Sequence, residues 1–186
     1  IIDSDSLYGV PYPNRSSLPP GKNKIYSISL GQGVGIVKQK ANPQLSVSDM
    51  INLLLLHRLL PLRTDLCGRI TSSYRFLYDG KPCSGRMKMQ EFSSKSPILL
   101  CSVPNEIVNV SVEVQTDDDV FQFLSPMGLS VHIGSILDHL IAWLRLGRGR
   151  WLLMLGEEEL FAHDILHDVK EKLEQNQLRL LKKGRL

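Results

Sequence analysis

Cysteine is scarce and scattered. Cys67, Cys83 and Cys101 are the three in 186 residues, and no two form a C-x-x-C pair. That argues against a disulfide framework or a thiolate zinc site, and a reducing, intracellular compartment is expected. Long hydrophobic runs are missing too. The longest apolar stretch is about half of the roughly 20 residues a membrane span needs, and no basic-then-apolar start resembles a signal peptide. Net charge is only +3, from 22 Lys+Arg against 19 Asp+Glu, far from the excess of a DNA-wrapping protein. At 42% hydrophobic and 22% charged, the chain as a whole is not disordered. Its length suits one ordinary domain or two small ones. Ile1 stands where an initiator Met is expected, which implies an upstream segment.

Catalytic signatures are absent as well. Gly31-Gln32-Gly33-Val34-Gly35 is glycine-rich but lacks the Lys-Ser/Thr of a phosphate loop and falls between expected strands, so it reads as a hairpin turn. His163 and His167 share i, i+4 spacing without the Glu of H-E-x-x-H and without a third ligand at a telling distance. His57, His132 and His139 read as packed or solvated side chains, and Glu157-Glu158-Glu159 as a solvated turn. There is no G-x-S-x-G elbow, and no cysteine has a neighbouring His in sequence. No catalytic residue, cofactor or metal is assigned, and the protein is not expected to be an enzyme.

The positive signals begin with an extended arm over residues 1–23, rich in Pro and Ser. Ile25–Leu30 and Val34–Lys40 then read as a hairpin. Ser46, with Asp49 three residues on, opens a Leu-rich helix that ends by Pro61. Tyr74–Tyr78 and Ile98–Val103 look like strands. Ile107–Gln115 alternates Val108, Val110, Val112 and Val114 against polar residues, a half-buried strand closed by Asp117-Asp118-Asp119. After Asp119 the pattern turns helical: Ile133, Ile136, Leu137, Leu140, Ile141 and Leu144 share helical spacing. Trp151–Leu155 with Leu160–Ala162 is either a hairpin or a helical continuation. Asp164 to Lys183 reads as a final helix, capped by Asp164 and basic at its end. The expected fold is a single compact α+β domain over residues 24–186, an antiparallel sheet with packed helices and a helical C-terminal part from about 130 to 186. No internal repeat is evident.

Charge divides unevenly, +6 over residues 1–93 and −3 over 94–186. Arg145, Arg148 and Arg150 beside Trp151, with Lys182, Lys183 and Arg185 at the terminus, form the candidate contact with an anionic membrane or nucleic acid. The bland alternative is a solvated turn. Leu166, Val169, Leu173 and Leu180 lie at heptad-like offsets, a seam that favours docking on its own domain but can engage a neighbouring subunit, and with Tyr8 and Val10 of the arm they are the self-association candidates. Tyr74-Arg75-Phe76-Leu77 has the Y-x-x-L form of host sorting signals, although its place in an expected strand favours packing.

A set of short, order-preserving features resembles the matrix proteins of rhabdoviruses, the vesiculovirus branch in particular. They are Ile2-Asp3 with Leu7-Tyr8-Gly9-Val10, the strand Lys24–Leu30, Ser48-Asp49-Met50 opening a helix, Gly85-Arg86, Lys95-Ser96-Pro97-Ile98-Leu99, Val103-Pro104-Asn105-Glu106, and Ile107–Val114 before the acidic turn. The likeness covers roughly residues 2–119. The C-terminal third departs from it, and the arm has no Pro-Pro-x-Tyr. The resemblance implies a viral structural protein that self-associates, binds and condenses the viral nucleocapsid, and links it to the inner face of the envelope membrane in assembly and budding. Its partners would be itself, the nucleocapsid, an anionic membrane surface, and further the viral glycoprotein and host sorting factors. Its place would be the virion and, in the host, the cytoplasm, peripheral membrane and nucleus.

A rival reading is a ubiquitin-like β-grasp adaptor. Hairpin Ile25–Lys40, helix Val47–Leu60, strand Tyr74–Lys81 and strand Ile107–Val114 follow that order, and Phe76-Leu77-x-x-Gly80-Lys81 resembles one of its strand–turn segments. The C-terminal helices would then be an appended partner-binding region. A nucleic-acid binder using the same arginines and terminal lysines is the third class.

Overall fold

The computed structural model describes residues 21–31, 35–61, 63, 65–66, 70–147 and 149–183. The chain divides into two compact units at the Pro104–Asn105 link.

The first unit contains β1 (Lys24–Ser29), β2 (Ile36–Ala41), α1 (Val47–Leu56), β3 (Ser72–Tyr78), β4 (Lys81–Pro82), a 3-10 turn at Met89–Glu91, and β5 (Ile98–Pro104). Its sheet runs β2-β1-β5-β3-β4, with β1 parallel to β5 and every other pair antiparallel. Alternation decides which residues point inward. Tyr26 and Ile28 of β1, Tyr74 and Phe76 of β3 and Ile98 of β5 pack against Val47, Met50, Ile51 and Leu54 of α1. Helix α1 starts where Ser46 Oγ accepts the Asp49 N–H at 3.2 Å, the cap its sequence announces. Asp79 and Gly80, both at positive φ, join β3 to β4 in a two-residue turn of the kind that follows strand twist.

The second unit contains β6 (Ile107–Gln115), β7 (Val120–Gly128), α2 (Ile133–Trp143), β8 (Trp151–Leu155), β9 (Glu158–Leu160), a 3-10 turn at Leu166–Val169, α3 (Lys170–Leu173) and β10 (Leu178–Lys182). Its sheet runs β7-β6-β10-β8-β9, again with the first and last strands of the unit parallel at the centre. Val110, Val112, Val114, Leu153, Leu178 and Leu180 meet Ile133, Ile136 and Leu140 of α2 in its core. Leu152, Met154 and Leu181 point the other way and form a small buried cluster of their own.

Both units therefore have one plan: a hairpin, a helix, a strand, a short strand, a 3-10 turn and a final strand inserted parallel to the first. The strand order is that of the β-grasp expectation, but the closing strand of the first unit is Ile98–Pro104 and not Ile107–Val114, which opens the second unit.

This corrects the expected architecture. There are two mixed sheets rather than one antiparallel sheet, and no helical C-terminal third over 130–186. Helix α2 stops at Trp143, and residues 164–183 form a 3-10 turn, a four-residue helix and β10 rather than one capped helix. Asp164 does not cap a helix; its buried carboxylate Oδ2 accepts the Phe161 N–H at 2.7 Å and closes a surface turn. Leu178–Lys182 is inserted between β6 and β8, and the hydrogen bonds of two ladders outweigh the helix propensity of its leucines. Val120–Gly128, expected to begin the helical region, is a nine-residue strand paired with β6 throughout. Trp151–Leu155 and Glu158–Leu160 are a hairpin.

Candidate interaction surfaces

The outer face of the first sheet is built by the residues that alternation turns away from α1. On β1 these are Ile25, Ser27 and Ser29; on β2, Ile36, Lys38 and Lys40; on β5, Leu99 and Cys101. Ser29 is in register with both Ile36 and Leu99, so the two aliphatic side chains flank it in a row across three strands. Ser27 lies opposite Lys38 and Ile25 opposite Lys40 in the next rows. Ile25, Ile36 and Leu99 are 57%, 56% and 54% exposed. β1, β2, β3 and β5 carry no Asp or Glu at all. The exposed part of the face, on β2, β1 and the start of β5, thus offers aliphatic surface beside ammonium groups, whereas on β3 the same face carries the buried Arg75. Covering each half-exposed aliphatic contributes about 1 kcal/mol, whereas each solvated lysine pair contributes ~0–1 kcal/mol. The apolar row sets affinity and the lysines set the preferred sign of charge.

Leu99 also lies on the rim of a depression of about 240 Å³, lined by Leu77, Tyr78, Phe92 and Pro97 and by the carboxylates Asp79 and Glu91. Phe92 stands edge-on to Phe76 and Tyr78, with ring centres 5.8 and 5.6 Å away, which fixes one wall. Leu99 thus belongs both to the row and to the lining of the depression.

The residues read as a basic contact are partly brought together. Trp151 is in register with Lys182, and the Lys183 N–H donates to the Arg150 carbonyl at 2.7 Å. Arg150, Trp151, Lys182 and Lys183 therefore sit side by side at one end of the second sheet. Trp151 Nε1 donates to the Gly147 carbonyl at 3.3 Å, and Lys182 Nζ lies 3.9 Å from an Asp117 oxygen. Arg145 is exposed just past α2, with φ 51°. Arg148 and Arg185 lie outside the described residues, as do Tyr8, Val10, most of the arm, Cys67 and the centre of the glycine-rich turn.

Among the self-association candidates, Leu166, Val169 and Leu180 are buried in the second core, and Leu173 packs against it. Their heptad-like offsets span a 3-10 turn, α3 and β10, so they do not form a helical seam. Tyr74 of the Y-x-x-L sequence is buried, its hydroxyl donating to the Pro61 carbonyl at 2.6 Å. Burial raises the pKa of Tyr26 and of Tyr74, with Arg63 opposing the shift at Tyr74. Among the described residues, no three His, Cys, Asp or Glu side chains are grouped to hold a metal.

Sequence reasoning did not pick out Ile36, Leu99, Lys38 and Lys40 as a surface. The lack of any acidic residue in four strands was the available signal. No protein-family model and no curated protein sequence matches the chain.

Proposed function

We propose that the chain is an interaction protein made of two β-grasp units, and that the first unit holds an apolar segment flanked by carboxylates on the outer face of its sheet. The observation that carries this is the Ile36–Ser29–Leu99 row, exposed beside Lys38 and Lys40. The reading keeps the adaptor class and replaces its appended helical region with a second β-grasp unit. Titration of the full chain with acidic-aliphatic, neutral-aliphatic and basic-aliphatic peptides, followed by amide NMR shifts, tests it. Shifts on β1, β2 and β5 with the acidic peptide, lost in Ile36→Asp/Leu99→Asp, are the expected result. Equal response to all three peptides, or no response of these strands, refutes it.

One observation favours the envelope-coat reading as a second proposal: Arg150, Trp151, Lys182 and Lys183 converge at one end of the second sheet. A cluster of cations beside an indole suits an anionic lipid surface. In that role the protein would line the inner envelope face and hold the nucleocapsid. Co-sedimentation with phosphatidylserine vesicles, lost on replacing Arg150, Lys182 and Lys183 by Ala, is expected; no sedimentation at low salt rejects it.

A further inference from the structure

We propose that two copies of this chain pair antiparallel along β7, about a two-fold axis at Gln122, so that their second sheets join into one. Among the described residues β7 is the outer strand of its sheet, nine residues long. Long edge strands are normally blunted by charges, Pro or bulges; no charged residue occurs from Val120 to Val131, and the one Pro, Pro126, sits near the end of the strand. Val120 and Leu124 are 58% and 71% exposed.

Two independent details show which main-chain groups face the free edge. Pro126 has no N–H, so a position of its parity does not donate to β6. The Val120 N–H donates instead to Asp119 Oδ1 at 2.9 Å. Val120, Gln122, Leu124 and Pro126 thus direct their main-chain groups outward. Their pattern is self-complementary. With Gln122 opposite its own copy, Val120 faces Leu124 on one side of the sheet and Phe121 faces Phe123 on the other. Once Val120 turns its N–H from Asp119, about six main-chain hydrogen bonds form. Pro126 ends the pairing on each side.

The core side of this edge also lacks a full cover. Phe121 and Phe123 stack at 6.4 Å, and Phe123 stands edge-on to the half-exposed Trp143 at 5.2 Å. A second copy brings the same three rings against them, an isologous contact. An uncharged strand has no electrostatic preference for a charged foreign segment, whereas its own copy matches it in register, hydrophobicity and ring placement. This pairing is independent of the first unit's proposed partner.

Sedimentation velocity of the full chain from about 1 to about 500 µM should show a monomer passing to a dimer. Gln122→Pro removes an outward N–H while leaving the β6 ladder intact, and Leu124→Lys puts a charge on the edge. Each should weaken dimerisation about tenfold or more. Asn109→Lys, on the outer side of β6, should leave it unchanged. Gln122→Cys should give a covalent dimer on mild oxidation, since opposed Cα atoms about 5.5 Å apart lie within disulfide reach. In a background with Cys67, Cys83 and Cys101 replaced by Ser, used for both variants, Asn109→Cys should not. A monomer at every concentration, or a dimer indifferent to Leu124→Lys, overturns the proposal. If Gln122→Pro fails to fold, Leu124→Lys and the Gln122→Cys cross-link decide.

Discussion

Ser46 and His132 are structural counterparts, each the buried residue before a helix and each bridged to the strand-like segment that precedes a 3-10 turn. Around Ser46, the Val47 N–H donates to the Met87 carbonyl and the Met89 N–H to the Leu45 carbonyl, both at 2.8 Å. Around His132, the Ile133 N–H donates to Asp164 at 2.9 Å and the Leu166 N–H to Val131 at 3.0 Å. The flanking bonds repeat as well: Ser48 to Gly85 and Gln90 to Pro43 in one unit, Gly134 to Ala162 and His167 to Leu129 in the other. The duplication thus extends beyond strand order to individual main-chain hydrogen bonds.

Met89 and Leu166 hold matching positions after these bridges, and both are fully buried. Each anchors its own unit's 3-10 turn to its own core. Met89→Ala and Leu166→Ala should each cost about 2–5 kcal/mol. Hydrogen exchange should show the first loosening residues 21–104 and the second residues 105–183. Uniform loss of protection across the chain in both variants would contradict the assignment of separate cores.

The Tyr26 hydroxyl is buried without a hydrogen-bond partner among the described residues. Leaving such a group unsatisfied costs about 1–3 kcal/mol, so Tyr26→Phe should be neutral or stabilising in urea unfolding at neutral pH. Tyr74→Phe removes a made bond to Pro61 and should cost about 1 kcal/mol. A loss at Tyr26 as large as at Tyr74 would count against the geometry.

Both phenols also set an alkaline limit. Their folded pKa values lie above the ordinary 10.0, so the unfolded chain releases these protons first. The stability they contribute is complete below pH 10 and declines as pH rises through the folded values. Urea midpoints measured upward from pH 9 should fall above pH 10 in the wild type, and less steeply in Tyr26→Phe. Identical slopes would dismiss the linkage.

Asp164 is fully buried and its carboxylate closes the Phe161–Asp164 turn. Asp164→Ala orphans the Phe161 N–H and should destabilise the second unit by about 1–3 kcal/mol, with Asp164→Asn costing less because an acceptor remains. Equal effects of the two changes, read from thermal unfolding, would show that the turn does not depend on the acceptor.

Several elements were legible locally. Ser46 and Asp49 marked the start of α1, and the valine alternation of Ile107–Gln115 gave β6 at both ends. Val120–Gly128 was not, since apolar Val120 and Leu124 fall on its outer side and blur the polar–apolar alternation, and its partner strand supplies the register. The repeat is invisible in the residues because the units share hydrogen-bond geometry and core position rather than residue identity: Ser46 answers to His132, and Met89 to Leu166. The first unit's face was hidden for a related reason. Ile36, Ser29 and Leu99 are far apart in the chain, and only the register makes them neighbours.

By itself the sequence determined the local periods, the cap at Ser46, the acidic turn after β6 and the absence of carboxylates from the first unit's long strands. Those properties depend on neighbours within a few residues. Tertiary structure alone decided that Leu178–Lys182 is a central strand, that one plan is used twice, and that two aliphatics and two lysines share a surface. Each of these depends on hydrogen bonds between distant segments, and no local preference of the residues encodes which strand will supply them.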